Sequence, residues 1–413
     1  MEKIKFSKID KNLYQDKLSN GLSTLVAPVG GASKVKFGIN IGIGGYPREY
    51  VIGKQKILPG TLNVMCHALK KYHNSEADKL FDGKCKFDIK IFESYTSFEV
   101  TVDNNDDLAS YIMALMHIFD DLIATNDQIE ELKKDIINQV ASTKLSEDEL
   151  LRTYLYSSSP MKDSVLGTVD SLKGVHLPAV KKFFNQFITT DYLTFFIVGN
   201  VLPTDIASLL EKYKFNKREV YKDNQTKTIK EDASKVSSKL GYITTPNTFV
   251  LGVKFPSRKD MFENFDSLTF SYYFLLTNLV FTKNNNTLIS NLPSLNELGE
   301  NGVHEGGEDA YFYQIFKSSS PEKIQGELDK YFSINKLFGK LEFYKMKQNL
   351  LKKYHDIFKS DVETYYDRLL NSYANSYADL SVIEKACKIS YSKFCKFYNL
   401  FVSLPRTYLI SRK

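Results

Sequence analysis

Two stretches of the chain run through the same succession of patterns, separated by a run that carries none. Lys214 to Lys239 is charged and polar and lacks apolar periodicity, as a connector does. Before it, turn signals at Ser19-Asn20-Gly21 and Gly30-Gly31 alternate with β-prone runs at Ser23–Val26 and Lys34–Ile41, which predicts adjacent antiparallel strands. Leu62, Met65, Cys66, Leu69 and Tyr72 then recur at helical spacing just after Gly60. Beyond a strand at Ser94–Val102, a second amphipathic helix is marked by Leu108, Tyr111, Ile112, Leu115, Met116, Phe119 and Leu122. A third opens on a capping box, Thr125 with Gln128, and turns Ile129, Leu132, Ile136 and Val140 inward. A helix after Pro178, a buried-strand run at Leu193–Val198 and a short helix from Thr204 complete the stretch.

After the connector come strands between Tyr242 and Phe255, an apolar helix over Leu268–Phe281, an Asn/Gly-rich stretch, a strand at Ala310–Phe316, several helices and a closing strand at Thr407–Ile410. Sheet then helices, twice over, predicts the α+β class. Two homologous domains, residues 1–213 and 240–413, are expected to flank a linker at 214–239, each an antiparallel sheet with helices packed on one face.

With 413 residues, 43% hydrophobic and 25% charged, the chain has the composition of an ordinary globular protein with a large core. No apolar run approaches the roughly 20 residues that cross a bilayer. The start, MEKIKFSKIDKNLYQDKL, is charged throughout, so a cytoplasmic protein without a membrane partner is expected. The four cysteines, Cys66, Cys85, Cys387 and Cys395, form no C-x-x-C pair and fit a reducing compartment. The net charge of +6 is spread along the chain. Its densest basic stretch, Lys340–Lys353, interleaves lysines with Leu341, Phe343, Met346, Leu350 and Leu351 at helical spacing, so it reads as a helix with a solvated lysine face. No nucleic-acid motif is present, and no nucleic-acid partner is expected.

Four segments carry a family likeness by their order and spacing. Lys17-Leu-Ser-Asn-Gly-Leu22 opens the first strand, Gly60 opens a helix, Gly167-Thr-Val-Asp-Ser-Leu172 follows, and Phe195-Phe-Ile-Val-Gly199 lies near the end of the first domain. Together they resemble the insulinase/pitrilysin zinc metallopeptidases, in the half-length bacterial processing-peptidase-like branch. The resemblance implies a two-domain half-clamshell, each sheet keeping one face free of helices. It also implies H-x-x-E-H on the helix after the glycine, where two histidines bind zinc and the glutamate activates water, with a further glutamate ligand from a later helix.

Superposed on this chain, the motif puts Asn63 at the first histidine, Cys66 at the glutamate and His67 at the second histidine, while Val140 takes the distant ligand position and Lys133 a supporting acidic one. Sliding the motif by three residues gives Gly60, Asn63 and Val64 instead, which is worse for metal. The family's substrate-holding arginine has no counterpart in Asn284–Tyr313. These departures imply a pseudoenzyme with no catalytic residue, no metal and no cofactor. By resemblance it would pair with a second half-length, active family member as a heterodimer and help to bind unfolded peptides. The alternatives are a scaffold with no peptidase partner and, behind it, an enzyme with a remodelled site.

Other constellations carry less. His304-Glu-Gly-Gly-Glu308 reads as a surface loop, because two glycines keep its side chains off a shared helical face. Gly299–Gly307 lacks the lysine of a phosphate loop, His73 and Glu76 would form at best an exposed pair, and Ser157-Ser-Ser-Pro160 reads as a turn.

Overall fold

A computed structural model of the chain describes residues 1–7, 11–46, 49–73, 81, 85–103, 107–218, 220–221, 224–227, 231–265, 268–282, 289, 292–306, 309–334, 337–374 and 381–412. The chain divides into two compact units. One comprises Met1–Thr143, Ser164–Thr228 and Tyr354–Leu380, and the other Lys144–Asp163, Ile229–Lys353 and Ser381–Lys413. Each unit therefore takes segments from both halves of the sequence.

In the first unit, the described residues form a seven-stranded sheet from β1 (Glu2–Phe6), β2 (Lys11–Lys17), β3 (Ser23–Pro28), β4 (Lys34–Ile41), β7 (Lys86–Ile91), β8 (Thr96–Asp103) and β9 (Leu193–Gly199), in the order β1-β2-β3-β9-β4-β8-β7. A small sheet is added by β5 (Glu49–Ile52), β6 (Gln55–Ile57) and β10 (Asn224–Lys227). The expected connector at 214–239 is thus not free of structure, since Asn224–Lys227 pairs antiparallel with Glu49–Ile52. The unit's helices are α1 (Thr61–Lys71), α2 (Leu108–His117), α3 (Asn126–Ser142), α5 (Val169–Lys173), α6 (Leu177–Phe187) and α7 (Pro203–Glu211), with α4 (Glu147–Leu155) belonging to the second unit.

The second unit's sheet has β11 (Leu240–Ile243), β12 (Thr248–Phe255), β13 (Glu297–Gly306), β14 (Asp309–Lys317) and β15 (Arg406–Ser411), in the order β11-β15-β12-β14-β13. Its other helices are α8 (Arg258–Phe265), α9 (Thr269–Leu275, continued by a π turn to Val280), α10 (Pro321–Ile334), α11 (Lys340–Ser360, which runs on into the first unit), α13 (Ser381–Lys388) and α14 (Tyr391–Ser403). Helix α12 (Val362–Ala374) belongs to the first unit. Strand for strand, β11-β15-β12-β14-β13 repeats β3-β9-β4-β8-β7. Both runs begin with a parallel pair, β3 with β9 and β11 with β15, and every other pairing is antiparallel. The duplication expected from element order is visible in topology.

Alternation along the central strands sets the layers. In β4, Val35, Phe37, Ile39 and Ile41 enter one core with residues of α1, α2, α3 and α6. The opposite face, expected to be free of helices, is not bare. There α12 packs on β4 and β9, and a side chain at Gly38 would collide with the Phe98 carbonyl and the Tyr366 hydroxyl. Beside Gly38, the buried Lys36 Nζ lies 3.0 Å from Glu99 and 2.6 Å from Asp367, and Lys90 reaches the same two carboxylates at 2.8 and 3.5 Å. The second unit repeats the device with α4, where a Cβ at Gly252 of β12 would meet Leu151 at 2.7 Å. Lys36 sits 4.7 Å from the Tyr366 ring and Lys254 4.8 Å from the Tyr156 ring, each tyrosine arriving with or beside the covering helix.

His304 is a correction to the sequence reading. It lies in β13 opposite Tyr311, stacked on that ring at 5.3 Å, in a pairing of β13 with β14 whose last described pair is Gly306 with Asp309. Glu76 lies outside the described residues.

Candidate functional site

Helix α1 starts after a glycine for a steric reason. Gly60 has φ 89 and Gly167 has φ 87, and a Cβ on Gly167 would sit 2.7 Å from the Gly60 Cα. Two left-handed glycines in contact let the 164–174 segment lie directly against the mouth of the helix. The motif positions 63, 66 and 67 fall on the first two turns of α1, on one face.

Asn63 is 2% exposed and spends its amide on this neighbour, Nδ2 donating to the Leu166 carbonyl at 3.1 Å. Its Oδ1 is buried and finds no hydrogen-bond partner among the described residues. Cys66 is fully buried within the apolar core of the unit, and burial pushes its thiol well above the ordinary range, so no thiolate forms at neutral pH. His67 is half-buried, and burial, followed by the nearby Lys70, lowers its pKa and keeps the imidazole neutral at pH 7.

Helix α3 brings the two remaining positions. Its start is fixed by the capping box, with Thr125 Oγ1 accepting from Gln128 N at 3.3 Å and Gln128 Oε1 accepting from Thr125 N at 2.8 Å. It packs on α1, and the Tyr72 hydroxyl reaches the Gln128 carbonyl at 3.5 Å. Lys133 is 5% exposed. Its ammonium donates to both Glu130 oxygens at 2.9 and 3.1 Å and to the Lys173 carbonyl at 3.1 Å, on the last turn of α5. Val140 is half-buried and packs against the core.

Two of the five positions, Asn63 and Lys133, therefore do something the sequence did not reveal. Asn63 reaches the carbonyl just before α5 and Lys133 the carbonyl at its end, so residues from two helices tie down the segment 166–173. The only sequence hint is that polar side chains fall at positions facing the core.

A catalytic zinc needs three protein ligands with lone pairs directed at one point. This donor set offers one imidazole, one carboxamide oxygen, which is a weak zinc donor, and a valine that has nothing to donate. The residues do not fit zinc. Among the described residues, no group of three or more His, Cys, Asp or Glu side chains is placed to hold a metal ion.

Solved structures decide the fold. An M16-like peptidase from Alicyclobacillus acidocaldarius matches over 99% of this chain and 100% of its own, with TM-score 0.79 and 12% identity. This is the fold of the insulinase-type, or M16-like, peptidases. An M16 inactive domain from Pseudomonas fluorescens matches 97% of this chain and 98% of its own, with TM-score 0.67 and 11% identity. The periplasmic protease PqqL from Escherichia coli matches 98% of this chain but 48% of its own, with TM-score 0.70 and 12% identity. By sequence, the uncharacterised zinc protease YmfH of Bacillus subtilis (strain 168) is 23% identical over 216 residues. That match spans 50% of this chain and 50% of the relative, about half its length. No protein-family model matches the chain. The likeness read from the four sequence segments is borne out at the level of fold. No helix among the described residues is long and apolar enough to cross a membrane.

Proposed function

We propose that this chain is a non-catalytic M16-like homologue that acts as a peptide-binding and structural subunit beside an active family member. The observation that carries the reading is the state of the motif positions. Asn63 and Lys133 are engaged in holding segment 166–173, Cys66 is sealed in the core, and Val140 is packing. What supports the reading is that His67 is the one imidazole among these positions, with no carboxylate at positions 63, 66 or 140 to join it. The fold supports a subunit role, since this chain matches less than half of PqqL's length, as one half of a pair would. Strand β7 is an edge of its sheet among the described residues, and an extended peptide can be held there by backbone pairing that tolerates many sequences.

The test is native mass spectrometry of the tagged protein from its own cells, then peptidase assays of any copurifying relative with and without this chain. Recovery of a second M16-like chain whose rate rises on addition supports the reading. A monomer that leaves such a rate unchanged sinks it and favours a scaffold role.

A further inference from the structure

We propose that the backbone amides of Ser157, Ser158 and Ser159, together with the Lys254 ammonium, form a carboxylate-binding site whose resident ligand is the chain's own Glu231. All of these groups belong to the second unit. The Glu231 carboxylate accepts from Ser157 N at 3.0 and 3.1 Å, Ser158 N at 2.7 Å and Ser159 N at 2.6 Å, from Ser158 Oγ at 3.1 Å and from Lys254 Nζ at 2.9 Å. Three successive N–H groups converging on one anion make a nest, a concave array of partial positive charges that exists whether or not a glutamate fills it. Lys254 supplies a full charge from a side chain 1% exposed, backed by the Tyr156 ring.

The same ammonium also donates to the Asp232 and Lys235 carbonyls, at 2.9 and 3.0 Å. The site thus reads a carboxylate and the turn of backbone that follows it, Asp232 to Lys235, which is the chemistry of an acidic peptide segment. The occupant is a strap of irregular backbone, with Asp232, Ser234 and Lys235 exposed above it, and the rim residues Ser157 and Ser158 are exposed as well. A tethered ligand competes at an effective concentration on the order of millimolar, so a free carboxylate cannot show itself while Glu231 is in place. The inference stands apart from whether the chain pairs with a peptidase.

The experiment removes the occupant. Glu231→Ala is titrated with sodium acetate and, at matched ionic strength, with sodium chloride, and Tm is followed. Acetate is expected to raise the Tm of Glu231→Ala saturably. Wild type should move no more in acetate than in chloride, and Glu231→Ala with Lys254→Met should lose the acetate effect. Should Glu231→Ala be recovered unfolded, its refolding yield in acetate against chloride gives the same reading. Equal response to the two salts overturns the proposal, and rescue by phosphate but not acetate overturns the assignment to carboxylates.

Discussion

At position 66, a thiol sealed at full burial cannot be exchanged for a carboxylate without burying a charge. The chain purified and dialysed is therefore expected to hold far less than one zinc, read by metal analysis; one zinc per chain that vanishes in His67→Ala would refute this. Rebuilding the ligands as Asn63→His, Cys66→Glu and Val140→Glu is expected to restore metal binding only weakly. Lys133 puts an ammonium where the superposed motif calls for a supporting acidic group, and a cation there disfavours a dication and leaves the ligands without that support. Adding Lys133→Glu to that triple variant should tighten zinc binding, measured by competition with a chelating dye, and no gain would remove Lys133 from the account.

Acid titrates a different residue. Burial raises the pKa of Glu231, but the bonds from Lys254 and from the Ser157, Ser158 and Ser159 amides outweigh it and hold the carboxyl at about 2, against an ordinary 4.5. A depressed folded pKa contributes stability that is present above about 4.5 and is lost as pH falls toward 2. Urea melts across that window should fall less steeply for Glu231→Gln than for wild type.

Helices and strands were legible from turn signals, β-prone runs and helical spacing, even in β4, where Val35 to Ile41 are all buried. Lys34–Ile41 is a strand over the residues its pattern predicts, and Thr125 caps α3 as its side chain and Gln128 require. What the pattern could not show is which unit a helix joins. The amphipathic stripe of α4 or α12 states that a face will be buried and is silent on which sheet buries it. Glycine was the missed signal. Gly38 and Gly252 sit mid-strand, where glycine weakens a sheet unless another backbone or helix comes close. The two differ in what they meet, and this sets their cost. At Gly38 the obstacle includes the Phe98 backbone carbonyl, which cannot swing away, whereas at Gly252 it is the Leu151 side chain. Gly38→Ala is expected to lower stability by about 2–3 kcal/mol, in the range of overpacked cores, and Gly252→Ala by less. Urea denaturation compares them, and equal losses would defeat the packing account. The ties from Asn63 to Leu166 and from Lys133 to Lys173 were not legible, since they run to backbone carbonyls 103 and 40 residues away in sequence.

At the scale of the whole molecule, the chain has the M16-like fold, and on the proposed reading Asn63, Cys66, Lys133 and Val140 serve packing and hydrogen bonding within it. Neither unit is a contiguous piece of chain, since residues 144–163 belong with the second sheet and 354–380 with the first. Keeping two such units folded requires both segments. On the proposed reading, the fold would bind peptide without cutting it. The expected outcome is a protein that turns over no peptide in a fluorogenic library, with or without added zinc, yet binds extended peptides with micromolar-range affinity (Kd of about 10⁻⁶ M, about −8 kcal/mol) by fluorescence anisotropy. Binding should survive exchange of the peptide's side chains and fall when its backbone amides are N-methylated, because an edge strand reads N–H and C=O groups. Chelator-sensitive turnover by material free of contaminating peptidase would overturn the non-catalytic reading. Absence of peptide binding, together with no M16-like chain recovered from native cells, would move the function away from peptides altogether.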